Sequence, residues 1–178
     1  MIDAYEEFGL KRSLDLGIEE VRAAFRDRGK EEHPDGGGDS ERFSKLQEAS
    51  EILSHPSRRL RHWLELEGVE GSLSGAISSN LVDVFAKIGP RLQEADGLIR
   101  ERKGAESQLA KAMLEGRVQA CREGLEGIQE SITKEIDEKI GEFGRIERGE
   151  MDGWGVAREL AFLEKWQGQV RERFAELW

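Results

Sequence analysis

A histidine and an aspartate flank a single proline at His33-Pro34-Asp35, and Gly36-Gly37-Gly38 follows directly. An imidazole and a carboxylate this close can do acid–base work, or they can offer another molecule a hydrogen-bonding ring beside a directional, charge-assisted acceptor. Pro34 has no amide donor and pushes its predecessor out of helical backbone, so a helix arriving from the N-terminal side stops at about His33. The three glycines permit left-handed backbone, and Asp39 or Ser40 can cap the helix that follows. The pair is therefore expected at the exposed tip of a helical hairpin, which suits docking better than chemistry in a closed cleft. A plainer reading makes Pro34 a helix terminator, His33 a carboxyl-end cap and Asp35 the start of a turn.

Arg22, Arg26 and Lys30 recur every four residues and form one basic stripe on the incoming helix. Glu19, Glu20, Glu31 and Glu32 dilute that field, and residues 1–64 taken together are slightly acidic. No Gly-rich phosphate loop, nucleophile elbow or paired-carboxylate cleft is present. A small helical hydrolase built on His33 and Asp35 is the one catalytic reading, and the chain is expected not to be an enzyme.

The elements that must position these residues follow from apolar spacing. Ile18, Val21 and Phe25 mark a helix before the tip, and Phe43, Leu46, Ala49, Ile52 and Leu53 mark one after it. A short helix is expected near residues 3–8, the longer pair near 18–32 and 40–54, and a fourth from Pro56, a residue suited to a first helical turn. Residues 65–79, rich in Gly and Ser, read as a linker or hinge between an N-terminal domain of residues 1–64 and a C-terminal part of residues 80–178. Beyond the linker, Leu81, Phe85 and Ile88 mark one helix, broken after Gly89 by Pro90. A long one carries Leu125, Ile128, Ile132, Ile136, Ile140 and Phe143, and a last one runs from Val156 to Leu177. Gly116, Gly124, Gly127, Gly141 and Gly144 each cost about 1 kcal/mol relative to Ala, so the long helix is expected to fray or break. No stretch alternates with period two. The expected class is all-α, a helical hairpin followed by a three-helix bundle or hairpin.

The chain has 178 residues, 37% hydrophobic and 36% charged, with a net charge of −10. That balance supports a modest core and argues against nucleic acid or an anionic membrane as partner. No apolar run is long enough to span a membrane, and Met1-Ile2-Asp3 does not resemble a signal or transit peptide, so a cytoplasmic protein is expected. Cys121 is the lone cysteine, which excludes an internal disulfide and a thiolate cluster. His55 and His62 lack the spacing of a helical metal pair, and His62 is expected on the surface of the fourth helix. Cys121 reads as a core or boundary residue, and Trp154, Trp166 and Trp178 as packing anchors. Neither metal nor cofactor is expected.

The tip and its flanks resemble the J-domain family, co-chaperones of the heat-shock-70 (DnaK-type) ATPases. The resemblance rests on Phe25-Arg26 before the His-Pro-Asp and on Phe43-x-x-Leu46-x-x-Ala49-x-x-Ile52-Leu53 after it. Tyr5-x-x-Phe8-Gly9-Leu10, Leu14-Asp15, and Leu53-Ser54-His55-Pro56 leading to Arg59, Trp63-Leu64 and Gly68 resemble the HscB-type members more narrowly. The ending from Ala157 to Lys165 is similar to the last helix of that subfamily. The resemblance implies that Asp35 engages a cationic side chain of the ATP-bound chaperone, that His33 hydrogen-bonds there, and that Pro34 fixes the loop. It also implies that Arg22, Arg26 and Lys30 meet an acidic patch and steer association. The family usually places leucine at Arg28, a basic residue at Glu31 and tyrosine at Glu32. Arg28 is then expected to lay its stem along the core edge and keep its head in water.

HscB-type proteins bring an iron–sulfur cluster scaffold protein to the chaperone. The resemblance places the scaffold-binding face on Leu81, Val82, Phe85 and Phe162, although Ala86 and Gly89 stand where acidic residues are expected. Bundle core is the competing reading for these four. Because Leu160, Leu163, Trp166 and Val170 form the better-spaced inward set, Phe162 tilts toward the surface. A C-terminal half devoted to self-association or generic adaptor work is the alternative to an iron–sulfur role.

Overall fold

A computed structural model describes residues 2–32 and 39–178. The expected tip, His33-Pro34-Asp35, lies outside the described residues. Helix α1 spans Ala4–Phe8, α2 Ile18–Glu32, α3 Ser40–Ser54 and α4 Pro56–Leu66. Helices α5 (Ser79–Gly104), α6 (Gln108–Gly141), α7 (Phe143–Glu147) and α8 (Gly153–Glu176) follow. No strand occurs among the described residues, and none of the helices is long and apolar enough to cross a membrane.

Local chemistry accounts for the N-terminal boundaries. Asp3 Oδ1 accepts the amides of Tyr5 and Glu6, and Gly9 closes α1 at φ +64°. Asp39 Oδ1 accepts the Glu41 amide at 2.8 Å and so opens α3. Pro56 occupies the first turn of α4.

The C-terminal helices depart from two expectations. Pro90 does not end α5, which continues to Gly104. The proline ring is exposed, while Ile88, Leu92, Ala95 and Leu98 stay buried on the opposite side. Burial of that apolar run outweighs the one hydrogen bond that Pro90 cannot donate. Likewise α6 runs unbroken through Gly116, Gly124 and Gly127, because Val118, Cys121, Leu125, Ile132 and Ile136 anchor one face along its length. It ends at Gly141, and Phe143 belongs to the separate short α7.

Contacts gather the chain into two compact units. The first combines Met1–Gly75 with Lys139–Leu160 and is therefore discontinuous in sequence. Its core includes Tyr5, Phe8, Leu14, Val21, Leu46, Leu53, Leu60 and Leu64 from the N-terminal part, and Phe143, Ile146, Trp154 and Leu160 from the later part. Phe8, Phe25 and Phe43 follow one another at 6.4 and 6.2 Å between ring centres, tying α1, α2 and α3 together.

His62 and Arg59, both polar, are buried in this unit, and His62 is the one expected on the surface. His62 is 4% exposed, contrary to expectation. Its Nε2 accepts the Ala4 amide at 3.1 Å, and its ring stacks on Tyr5 at 6.1 Å. Arg59 is 7% exposed, donates to the Leu16 carbonyl at 2.5 Å and lies 5.7 Å from the Phe143 ring centre.

The segment after α4 is also held. Trp154 Nε1 donates to the Val69 carbonyl at 3.0 Å. The Arg158 guanidinium donates to the carbonyls of Leu73 and Ser74 at 2.9 and 2.7 Å. Glycine is required where backbone meets side chain: a Cβ at Gly153 would lie 2.7 Å from Leu64 Cδ2, and one at Gly71 would enter the Trp154 ring.

The second unit is built from Ala76–Glu138 and Ala161–Trp178, three helices in all. Cys121 lies in its core, 1% exposed. Buried Arg122 donates through Nε to the Leu177 carbonyl at 3.1 Å and lies 4.4 Å from the Trp178 ring centre. Arg102 Nη1 donates to the same carbonyl at 2.5 Å. Trp178 itself is 73% exposed, so it covers Arg122 instead of anchoring the interior.

Candidate functional site

The first candidate surface is the α2–α3 hairpin. Val21 and Gly29 turn α2 inward, Gly29 passing the Phe43 ring. That packing leaves Arg22, Arg26 and Lys30 exposed along the other side. Arg22 Nη1 is 2.6 Å from Glu19 Oε1, an exposed pair one turn apart that trims the stripe's outward field. Helix α2 ends at Glu32 and α3 opens at Asp39–Ser40, so in the sequence His33-Pro34-Asp35 falls between the two helices, outside the described residues.

Two of the residues that depart from the usual J-domain pattern, Glu32 and Arg28, have neighbours in the fold. Glu32 Oε1 is 3.1 Å from Arg42 Nη1, which clasps the last turn of α2 to the first turn of α3. Arg28 is exposed, with its guanidinium over Gly9, 3.3 Å from where a Cβ would stand. Sequence reasoning missed the Glu32–Arg42 pair because its members belong to different helices. Opposite charges on either side of a helical hairpin are the signal that could have found it.

Around the base of this hairpin, electrostatics serve the fold. Burial alone would raise the Asp3 carboxyl, but the Arg12 guanidinium, 2.7 Å away, and the Glu6 and Tyr5 amides together hold it below its ordinary value. Burial depresses His62, and burial pushes the Tyr5 phenol far above its usual range.

The second candidate surface is on α5 and α8, in the second unit. Phe85 lies 5.8 Å from Phe162 and 5.4 Å from Trp166 between ring centres. Phe162 is 39% exposed and Val82 51%, whereas the adjacent Leu163 is fully buried. Leu81 is fully buried too, so it supports this face from below without reaching its surface. Trp166, assigned by spacing to the inward set, is half-buried and joins the aromatic cluster. Among the described residues no cluster of three or more His, Cys, Asp or Glu is arranged to hold a metal.

Comparison with known proteins gives four findings. Residues 3–62 match the DnaJ domain family. The chain is 32% identical over 98 residues to the chaperone protein DnaJ of Carboxydothermus hydrogenoformans, a match covering 49% of this chain and 25% of that protein. It is 42% identical over 59 residues to the chaperone protein DnaJ 1 of Cutibacterium acnes, covering 32% of this chain and 14% of that one. The chain thus spans a quarter or less of the curated relatives it matches. Among solved structures, the chaperone HscB from Vibrio cholerae aligns over 99% of this chain and all of its own, at 18% identity and a TM-score of 0.57. Residues 3–62 carry the DnaJ domain pattern, and the chain as a whole shares the fold of HscB.

Proposed function

We propose that this chain is a co-chaperone that stimulates ATP hydrolysis by a DnaK-type chaperone and delivers an iron–sulfur cluster scaffold protein to it. In this reading residues 1–64 form the chaperone-facing module, residues 65–79 connect, and residues 80–178 carry the client-binding face. His33, Pro34 and Asp35 engage one conformational state of the ATPase. Favouring that state shifts the partner toward hydrolysis without any chemistry on this chain. Arg22, Arg26 and Lys30 steer the encounter. The observation that carries the reading is the DnaJ-domain match over residues 3–62, with the tripeptide bracketed by α2 and α3. Mixing the full chain with a DnaK-type ATPase tests it. Phosphate release should rise with the wild type and stay at the basal rate with His33→Gln or Asp35→Asn, both keeping wild-type helicity. Equal stimulation by Asp35→Asn would overturn the reading.

The iron–sulfur role rests on the face formed by exposed Val82 and Phe162 with half-buried Phe85, and on the HscB-like fold. Calorimetric titration with a purified cluster scaffold protein should show binding that Phe162→Ala weakens at least tenfold. Ala86 and Gly89, in place of acidic neighbours, favour a second reading, an adaptor with no iron–sulfur role. Absence of any scaffold binding would select it. Localisation to the cytoplasm accompanies the first reading.

A further inference from the structure

The outer face at the start of α6 leaves large apolar side chains in water. Leu109 is 72% exposed and Met113 75%, and they lie one helical turn apart. Gly116 and Ala120, both exposed, continue the same stripe, and nothing stands within 4 Å of the point a Gly116 Cβ would occupy. Val118, Cys121, Arg122 and Leu125, the buried residues of α6 here, point away from it. The steps from Leu109 to Met113, Gly116 and Ala120 are four, three and four residues. They are the d-a-d-a positions of two coiled-coil heptads, and Glu123 ends the seam at the next d.

Two large residues followed by two small ones at this spacing are complementary to their own reversed copy. In an antiparallel pair the a positions of one helix face the d positions of the other. Met113 then meets Gly116 of a second copy and Leu109 meets its Ala120, and the two-fold axis repeats both contacts. A parallel pairing would set Leu109 against Leu109 and leave the Gly116 and Ala120 layers empty, at the cost of voids. We propose that this stripe is a self-association site at which α6 pairs, antiparallel, with α6 of a second copy. Four residues a side bury far less than the roughly 800 Å² per partner of a stable interface, so the dimer is weak, with dissociation in the range of roughly 10–500 μM. The proposal is independent of the co-chaperone reading, since it is read as mass and not as ATPase stimulation.

Sedimentation velocity on the full chain, from about 5 to about 500 μM, should show a reversible monomer–dimer equilibrium. Leu109→Ser with Met113→Ser should weaken it at least tenfold. The sharper variant is Gly116→Leu, which has room to fold, gains helix propensity and adds apolar surface. Filling the small layer should weaken association at least tenfold, whereas indiscriminate stickiness would strengthen it. Met113→Cys with Gly116→Cys should cross-link two copies on mild oxidation, while buried Cys121 stays unreacted. A monomer up to about 500 μM, or a Gly116→Leu dimer as tight as wild type, would overturn the proposal.

Discussion

His62 is neutral in the folded chain for a geometric reason: its Nε2 is occupied by the Ala4 amide, and its ring lies against Tyr5. Asp3, Glu65 and Glu48 favour the imidazolium and Arg12 opposes it, but burial dominates and the net direction is down. The unfolded chain titrates this group near 6.5, so below about pH 6.5 it takes up a proton that the folded chain refuses. Stability must therefore fall as the pH drops through this range and level off below the folded value. The slope from this one group is at most about 1.4 kcal/mol per pH unit. Urea unfolding at pH 7.5 and 5.5 should show the loss in the wild type and a smaller loss in His62→Gln, and equal losses would refute the assignment. The sequence placed Phe162 outward and Leu163 inward because adjacent helical positions point apart, and burial agrees. It placed His62 on the surface, and gave no sign that Arg59 and Arg122 are buried, because polarity argues for water unless a specific acceptor is known. The Leu16 and Leu177 carbonyls that receive those guanidiniums lie 43 and 55 residues away, out of reach of any local pattern.

At the scale of elements, the N-terminal helices were legible to within a residue or two because each end has its own punctuation: Asp3 and Gly9, Asp39, Pro56. In the C-terminal half such punctuation misled. Pro90 and the glycines of α6 are local costs inside helices whose buried faces hold them in place. Those costs are recoverable. Pro90 is exposed, so Pro90→Ala restores a backbone donor without disturbing the core and should raise stability by up to about 3 kcal/mol. Gly127 is exposed and has open space at its Cβ position, so Gly127→Ala should add about 0.5–1 kcal/mol. Denaturant midpoints at unchanged slope measure both. A loss of stability in Pro90→Ala would mean that α5 needs its proline for a bend.

At the scale of the molecule, a domain boundary drawn along the sequence encounters a unit that is not contiguous. The N-terminal part donates to a residue far along the chain: Glu147 Oε1 accepts the Leu14 amide at 2.6 Å and the Ser13 hydroxyl at 3.0 Å. Gly153 backs onto Leu64, Phe143 lies beside Arg59, and Trp154 holds Val69. Periodicity could not supply these pairings, since each side alone reads as a complete amphipathic helix or a polar loop. The consequence is a prediction about autonomy. A fragment of residues 1–75 keeps the α1–α4 contacts but loses the apolar cover provided by Phe143, Ile146 and Trp154, which together amount to several kcal/mol of burial. Against a typical domain stability of about 5–15 kcal/mol, such a loss lowers the melting temperature visibly. Circular dichroism should find the fragment helical but melting at least about 10 °C below the full chain. A synthetic peptide of residues 139–160, added in excess, should recover part of that difference by mass action. A fragment that melts with the full chain and ignores the peptide would show that the hairpin stands alone, and that residues 139–160 lean on it without supporting it.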